Sequence, residues 1–304
     1  MKAVFIDASD LLANVTQRLR LPSDLEVRVN RNVDITADEI PDIVGDADIV
    51  WIDHTDFPVD IASQCPNLRH VVFMGTGARS YMNPEELAEI GIQVHIIKGY
   101  GDTAVAECAF GLMWAAAKQF CVMDRGVRAG AWPRTDGIQL FGKTLGLIGF
   151  GGIAAEMARL ALGAGMKVLA WNRSPREHRG VTFLDLDDVL AQSDVISIHL
   201  LLNDQTRGMI GRDQIERMRD GVMLVNTARG AVVDEQAMIH ALQTGKIGHA
   251  ALDVYTTEPL PAGHPLTRLE NVTLSAHSAF RTAEASDNLI EAALNHCRRI
   301  CSGG

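Results

Sequence analysis

The sequence predicts an α/β protein of two doubly wound domains, each built on a mostly parallel sheet. Three observations predict this class. The chain has 304 residues, enough for two ordinary domains. Short β-branched runs alternate with helical stretches from end to end, which is typical of βαβ crossovers. A second series of such units begins at Lys143, after a glycine-bearing hinge and a long apolar stretch.

The first 97 residues contain five short strand-like runs. We predict strands at KAVFID, LEVRV, DIVWID, LRHVVFM and IQVHII. We predict helices between them near LLANVTQRL, TADEIPDIV, PVDIASQ and NPEELAEI. Five units of this size make one α/β domain.

A hinge is predicted near Gly99–Gly101, followed by a long helix from about Thr103 to Cys121. This helix is apolar nearly all round, so it must be buried, either inside its own domain or against a second subunit. We favour the subunit, and therefore a homodimer, because the helix bridges two domains and neither alone would cover it.

The second series predicts strands at TLGLIGF, MKVLAW, DVISIHL, GVMLVNT, GHAALDV and NVTLSAH. The segment from about Thr282 to Cys301 has one apolar stripe and is predicted to be a closing amphipathic helix. We expect it to return to the first domain. The predicted domains are therefore 1–99 plus 281–304, and 100–280.

Composition excludes several classes. The net charge of −10 argues against a nucleic-acid binder, and the longest apolar run carries Glu107 and is too short to span a bilayer. The N-terminal segment lacks the features of a signal peptide. Five scattered cysteines show neither a CxxC pair nor zinc spacing, so we expect no metal site and reduced thiols in a cytoplasmic protein.

The stretch LGLIGFGGIAAEMARLALGAG contains a glycine-rich turn between a strand and a helix. Gly149, Gly151 and Ala154 occupy the small positions of G-x-G-x-x-G/A. Such a turn lets the backbone approach a pyrophosphate, which then meets the free N–H groups of the helix N-terminus. We predict a dinucleotide site in a Rossmann domain.

The end of the next strand bears on the choice of cofactor. A site for NAD usually has a carboxylate about 20 residues on, which binds the ribose hydroxyls. Here Asn172 stands 23 residues after Gly149, followed by Arg173 and Ser174. A neutral amide beside a guanidinium and a hydroxyl can accept a 2′-phosphate, so we predict NADP. NAD, used without its carboxylate partner, is the alternative.

Three polar residues stand at or just beyond strand ends in the second series, where open α/β sheets bind ligands. Arg229 lies in VNTARGAVV, Glu258 in LDVYTTEPL and His277 in LSAHSAF. With GFGGIA and the AVAE of the hinge helix, this ordered set resembles the D-isomer-specific 2-hydroxyacid dehydrogenase family. GxW at Gly130 to Trp132 and GTGA at Gly75–Ala78 fit the same pattern, so the resemblance covers nearly the whole chain.

The resemblance implies a flavodoxin-like substrate domain beside the Rossmann domain, and it implies that Arg229, Glu258 and His277 are catalytic. In this interpretation Arg229 holds a 2-keto acid and polarises its carbonyl, His277 donates a proton, and Glu258 orients the imidazole. Thr76, Gly77 and Ala78, with Arg229 and His277, would bind the substrate, and hinge closure would assemble the site. The predicted cofactor site comprises Val105, Gly149, Phe150, Gly151, Gly152, Ile153, Asn172, Arg173, Ser174, His199, Leu200, Leu201, Thr206, Thr227, Ala228, Arg229, Asp253 and His277.

Two positions depart from the family pattern. HLLLN has Leu201 and Asn203 where H-x-P-L-T is frequent, which puts the shape of that loop in doubt. Phe280 stands where many members have glycine, beside the nicotinamide pocket.

The predicted function is reduction of a small 2-keto acid of the glyoxylate or hydroxypyruvate type by NADP(H). Three alternatives remain open. One is an NAD-dependent enzyme similar to phosphoglycerate dehydrogenase, and another is a regulatory protein of the same fold that senses the dinucleotide. The third is an enzyme that oxidises formate or phosphite, as other branches of the family do.

Overall fold

A computed structural model describes residues 1–19, 21 and 25–302. Residues 20, 22–24 and 303–304, which fall within the range predicted for the first domain, lie outside the described residues. The chain divides into two compact units, Met1–Gly101 with Arg281–Gly304 and Asp102–Phe280.

The first unit is built on five parallel strands, and its strand order of 2-1-3-4-5 is that of flavodoxin-like doubly wound sheets. The strands are β1 (Lys2–Phe5), β2 (Glu26–Val29), β3 (Ile49–Ile52), β4 (His70–Phe73) and β5 (Gln93–Ile96). The helices are α1 (Asp10–Arg18), α2 (Ile40–Val44), α3 (Val59–Ala62), α4 (Pro84–Glu89) and the terminal α11 (Ala283–Cys301). All five predicted strands are present, which confirms the predicted fold class.

The terminal helix α11 completes one face of this sheet. Its N-cap Thr282 accepts a hydrogen bond from the backbone N–H of Ala285 (3.1 Å). Leu289 and Ala293 of its apolar stripe are fully buried among side chains of the central strands. The indole of Trp51 donates to the Cys297 sulfur at 3.3 Å. The predicted amphipathic helix therefore packs into the core of the first unit.

The second unit is built on seven parallel strands in the order 12-11-10-9-6-7-8. The strands are β6 (Thr144–Ile148), β7 (Lys167–Trp171), β8 (Val181–Phe183), β9 (Val195–Ile198), β10 (Val222–Asn226), β11 (Ile247–Leu252) and β12 (Val272–Leu274). The helices are α5 (Asp102–Ala117), α6 (Phe120–Arg128), α7 (Gly152–Gly163), α8 (Leu186–Gln192), α9 (Arg212–Arg217) and α10 (Glu235–Thr244). The strand order reverses between β6 and β9, and such a switch point opens a crevice for ligands.

The long apolar helix is shorter than predicted. It ends at Ala117, and Gln119 adopts a left-handed conformation (φ 53°) before α6 begins at Phe120. Part of α5 is buried in its own unit, since Ala106, Ala109 and Met113 are fully buried in the core beside the sheet. Across the described residues, the structure contains no helix long and apolar enough to cross a membrane.

Candidate active site

The predicted site residues of the second unit follow parallel strands at their carboxyl ends. Because neighbouring parallel strands end at the same edge of a sheet, these residues share one edge. In strand order they are Gly149 to Ile153 after β6, Asn172 to Ser174 after β7, His199 to Leu201 and Thr206 after β9, Thr227 to Arg229 after β10, Asp253 after β11 and His277 after β12. Val105 lies in the first turn and a half of α5, partly buried.

The glycine turn after β6 has backbone geometry that requires glycine. Gly149 has φ +89°, and a Cβ there would lie 2.6 Å from the carbonyl oxygen of His199. A Cβ on Gly151 would meet open space, so the backbone of this residue lines a cradle. Gly151 also caps α7, whose first N–H groups are unsatisfied within the helix. The turn therefore presents polar backbone and a helix N-terminus to a phosphate-sized anion.

Asn172 ties the loop after β7 to this turn. Its Oδ1 accepts from the backbone N–H of Phe150 (3.0 Å), and its Nδ2 donates to the carbonyl of Ser174 (2.8 Å). The neighbouring Arg173 donates to Oε1 of Gln205 at 3.0 Å, and both it and Ser174 are exposed. Asn172 thus has a structural role that the sequence reasoning missed, and Arg173 and Ser174 are the exposed polar groups of this loop.

Asp102, at the start of α5, lies against Gly152 of the glycine turn. A Cβ on Gly152 would lie only 1.7 Å from Oδ2 of Asp102, so the carboxylate fills the space that any side chain at position 152 would need. Burial, and secondarily the charge of Glu156, raise the pKa of Asp102. A negative charge is therefore held beside the N-terminus of α7. Nothing in the local sequence around Asp102 indicated this contact.

The loop after β9 has a defined shape despite its departures from the family pattern. The hydroxyl of Thr206 donates to the carbonyl of Leu201 (2.6 Å) and accepts from the N–H of Asn203 (2.8 Å). Oδ1 of Asn203 in turn accepts from the N–H groups of Gln205 and Thr206. Asn203 therefore builds the turn with its own side chain, and Leu201 remains 64% exposed.

The residues at the carboxyl edge of the seven-stranded sheet fit a nicotinamide dinucleotide. The cradle at Gly151 and the N-terminus of α7 suit its pyrophosphate. After β10, the hydroxyl of Thr227 is buried and has no hydrogen-bond partner among the residues that the structure describes. A buried polar atom without a partner is costly, so this hydroxyl has the character of a ligand contact.

His277 and Glu258 form a close pair. Nδ1 of His277 lies 2.5 Å from Oε2 of Glu258, with the side chains 25% and 32% exposed. The other oxygen of Glu258 accepts from the backbone N–H of Tyr255 (2.8 Å). Burial tends to raise the pKa of Glu258, but these hydrogen bonds and the charges of His277 and Arg229 outweigh it and lower that pKa. Glu258 is therefore an anion held against the His277 ring.

Asp253 holds the loop that carries His277. It is fully buried, and its carboxylate accepts from the hydroxyl of Ser275 and from the N–H groups of Ser278 and Ala279 (2.5, 3.0 and 2.9 Å). Its carbonyl accepts from the N–H of His277, whose φ of 48° is unusual for a non-glycine residue. Asp253, which the family resemblance places in the cofactor site, is thus also a buried residue that positions the loop of His277.

Arg229 is partly buried and follows β10 in an extended conformation. Its Nη1 donates to the carbonyl of Ala228 (2.7 Å). The next residue, Gly230, packs so closely on the loop after β11 that a Cβ would lie 2.0 Å from the carbonyl carbon of Tyr255. This close packing places Arg229 near the loop of Glu258, and the positive charge of Arg229 helps to lower the pKa of that carboxylate.

The predicted substrate residues Thr76, Gly77 and Ala78 belong to the first unit and follow β4. Gly77 precedes a turn of 3₁₀ helix over Ala78–Ser80. Within the described part of the chain, the N–H groups of Thr76, Gly77 and Ala78 have no backbone acceptor. Three such groups in succession suit an anionic ligand.

An imidazole–carboxylate pair and a guanidinium beside a dinucleotide cradle are the features of a dinucleotide-dependent oxidoreductase. Comparison with known proteins agrees. The family model "D-isomer specific 2-hydroxyacid dehydrogenase, NAD binding domain" matches residues 110–279, more than half of the chain. The chain belongs to the D-isomer specific 2-hydroxyacid dehydrogenase family.

Two curated relatives and one solved structure illustrate the similarity. A glyoxylate reductase of Aeropyrum pernix is 38% identical over 252 residues, covering 76% of this chain and 75% of that protein. A hydroxypyruvate reductase of Thermotoga maritima is 36% identical over 277 residues, covering 89% of each. An acyclic imino acid reductase (Bsp5) in complex with NADPH and D-Arg has a TM-score of 0.86 at 25% identity, covering 100% of this chain and 98% of that one.

Proposed function

We propose that this protein reduces a small 2-keto acid, of the glyoxylate or hydroxypyruvate type, to the D-2-hydroxy acid with NADPH. The observation that carries the proposal is the 2.5 Å contact between Nδ1 of His277 and Oε2 of Glu258 at the carboxyl edge of the sheet. A ketone that accepts hydride also needs a proton. A histidine whose charged form is stabilised by a carboxylate is a suitable donor near neutral pH.

Each residue of the set has its own task. The planar guanidinium of Arg229 binds the substrate carboxylate and the keto oxygen together, and it stabilises negative charge on that oxygen. His277 donates a proton to the same oxygen from Nε2, the nitrogen opposite Glu258. Glu258 orients the ring and favours its charged form. The nicotinamide, when bound, supplies the hydride. Reduction therefore requires protonated His277, and oxidation of the hydroxy acid requires the neutral form.

The preference for NADPH rests on the loop after β7. Arg173 and Ser174 are exposed there, and Asn172 presents an amide in place of the usual carboxylate. A 2′-phosphate would bind the guanidinium through charge-assisted hydrogen bonds without meeting a negative side chain. The NADPH bound to the acyclic imino acid reductase of the same fold is consistent with this choice.

The substrate class rests on two supports. Several relatives are glyoxylate or hydroxypyruvate reductases. In the first unit, the N–H groups of Thr76, Gly77 and Ala78 are suited to a carboxylate, which every 2-keto acid carries. We propose that these three N–H groups bind a substrate carboxylate.

We also infer a homodimer in a reducing compartment, the cytoplasm. Large apolar side chains of the second unit are exposed, among them Trp132 (75%) and Phe141 (69%), and a second copy would cover them. All five cysteines are free thiols, as a reducing compartment requires. Light scattering that shows a monomer at micromolar concentration would contradict the proposed homodimer.

The test is a panel of 2-keto acids assayed with NADPH and with NADH on the purified protein and on His277→Asn. We expect turnover of glyoxylate or hydroxypyruvate, and a loss of about 10²–10⁴-fold in kcat in the variant. His240→Asn, which alters an exposed histidine on α10, is the matched control and should keep full activity. Tight binding of dinucleotide without turnover of any keto acid would instead support a regulatory sensor.

A further inference from the structure

The first unit contains a groove that the proposed reaction does not use. Its volume is about 570 Å³, within the usual size range of small-molecule sites. It lies between α11 and the two residues that follow the edge strand β5. The groove is lined by Ile97, Lys98, Ala292, Asn295, His296, Arg298 and Arg299.

The lining is strongly basic in a chain whose net charge is −10. Lys98, Arg298 and Arg299 are exposed cations that face one groove. None of the three lies within 4.0 Å of a carboxylate in the described residues, although many other cations of the same chain are paired. Three like charges gathered without a counter-ion repel one another, so an anion bound among them would relieve that repulsion.

Neutral partners hold the two guanidinium groups in place. Arg298 donates from Nη1 to Oδ1 of Asn295 (2.6 Å), and Arg299 donates from Nη2 to Nδ1 of His296 (3.1 Å). These contacts orient the forks without neutralising them. Because each guanidinium has five N–H donors, several remain for a ligand.

His296 is itself held as a neutral acceptor. Its Nδ1 accepts from Arg299, and the ring is partly buried. Burial, and then the charge of Arg299, lower its pKa. His95 of β5 packs against it at 5.6 Å between ring centroids, and burial and its basic neighbours lower the pKa of His95 to about 4. Among the described residues, the side chains that line the groove thus supply positive charge and no negative charge.

We propose that this groove binds a small phosphate-bearing anion, through Lys98, Arg298 and Arg299. A phosphate group carries between about 1.5 and 2 negative charges near neutral pH, and its oxygens match guanidinium forks in two-point contacts. Carboxylates share the geometry but carry a single charge each, so a monocarboxylate neutralises the cluster less well. The site is independent of the Arg229–Glu258–His277 set, and the inference does not rest on the proposed function.

Binding is tested on the full-length protein by calorimetric and NMR titration with inorganic phosphate and, separately, with glycerol phosphate at constant ionic strength. We expect saturable binding, with the ring ¹⁵N signals of His296 moving as the charge of Arg299 is neutralised. Tighter binding of the ester identifies an organic phosphate as the ligand, and tighter binding of inorganic phosphate identifies the free ion. Both outcomes support the site. Signals that fail to saturate with either probe overturn it.

Variants locate the ligand. Arg299→Gln should weaken binding by about tenfold or more, the usual effect of losing one charge-assisted contact. Lys98→Gln should weaken it similarly, and it guards against misfolding of the first variant, because Lys98 stands in an exposed loop. Arg31→Gln is the matched control, since this exposed cation of the same unit is already paired with Asp10 at 2.9 Å. Equal weakening in the control, or unchanged binding in both groove variants, contradicts the proposal.

Discussion

Nδ1 of His277 lies 2.5 Å from Oε2 of Glu258, and the two residues come from loops that follow adjacent strands, β12 and β11. The second oxygen of Glu258 is held by the N–H of Tyr255. The carboxylate is therefore fixed at both oxygens, and the orientation of the imidazole follows from it.

Replacing Glu258 with glutamine tests this relationship. The amide still accepts a hydrogen bond but carries no charge, so it stabilises the imidazolium less. We expect the alkaline limb of the pH profile for keto-acid reduction to move to lower pH, and kcat/KM near neutral pH to fall by at least about tenfold. The measurement is kcat/KM against pH. An unmoved alkaline limb would show that Glu258 has no electrostatic role.

Arg229→Lys tests the guanidinium fork. A lysine keeps the charge but cannot bind two substrate oxygens in one plane. We expect kcat/KM for the keto acid to fall by about 10²–10³-fold, with cofactor binding little changed. Arg212→Lys, an exposed residue at the start of α9, is the control. If Arg229→Lys keeps activity within a few-fold of the native protein, Arg229 does not bind the substrate in the proposed way.

Asn172→Asp tests the choice of cofactor. An aspartate can still accept from the N–H of Phe150, so the glycine turn keeps its anchor, but its charge opposes a 2′-phosphate and favours ribose hydroxyls. We expect the ratio of kcat/KM for NADH to that for NADPH to rise. Arg173→Gln should weaken NADPH alone. If neither variant alters the ratio, the loop after β7 does not select the cofactor.

Asp102→Asn tests the carboxylate beside the glycine turn. Its charge should repel a pyrophosphate at the N-terminus of α7, so we expect the variant to bind NADPH several-fold more tightly in a fluorescence titration. The raised pKa of Asp102 gives the sign of the pH dependence. Native affinity should rise as the pH falls toward that pKa and the group becomes neutral, whereas the affinity of the variant should stay flat. Equal pH dependence in the two proteins would contradict this role.

The buried His249 should make the free energy of unfolding of the second unit depend on pH in the acid range. Burial lowers its pKa to about 4, and its ring contacts the hydroxyl of Thr273 at 2.9 Å. Between pH 6.5 and about 4 the unfolded chain therefore takes up a proton that the folded protein resists, and the free energy of unfolding falls as the pH drops.

The measurement is urea unfolding across that pH window in the native protein and in His249→Asn. The variant should lose a slope of up to about 1.4 kcal/mol per pH unit, the value for one proton. Identical slopes would mean that this histidine takes up its proton without cost in the folded state.

Local patterns were sufficient to predict every strand except β8, whereas the catalytic roles of three strand-end residues were predicted from the family resemblance and stay a prediction. β-Branched runs mark buried parallel strands, and Arg229, Glu258 and His277 stand at or just beyond strand ends. The sequence did not predict β8, a three-residue strand at the edge of the second sheet. The sequence also predicted that α5 continues past Gln119. The break there is a left-handed residue that is neither glycine nor proline, so no helix-ending residue marks it in the sequence.

The missed parts of the site depend on contacts between distant residues. Asp102 touches Gly152, and Asn172 binds Phe150, although neither pair is close in the chain. Asp253 shows the same limit: the family resemblance placed it in the cofactor site, but the sequence did not predict its hydrogen bonds to Ser278 and Ala279. Such roles are decided by which loops the fold brings together.

The return of α11 to the first unit has a consequence for how the chain is made. The ribosome releases residues 1–101 long before it releases Ala283–Cys301, yet Leu289 and Ala293 complete the core around Trp51. The first unit therefore cannot complete its core until α11 is synthesised, and its apolar face stays uncovered until then. The second unit is continuous in sequence and can fold as soon as it emerges. Synthesis that stops before α11 should leave a product that chaperones retain or proteases remove.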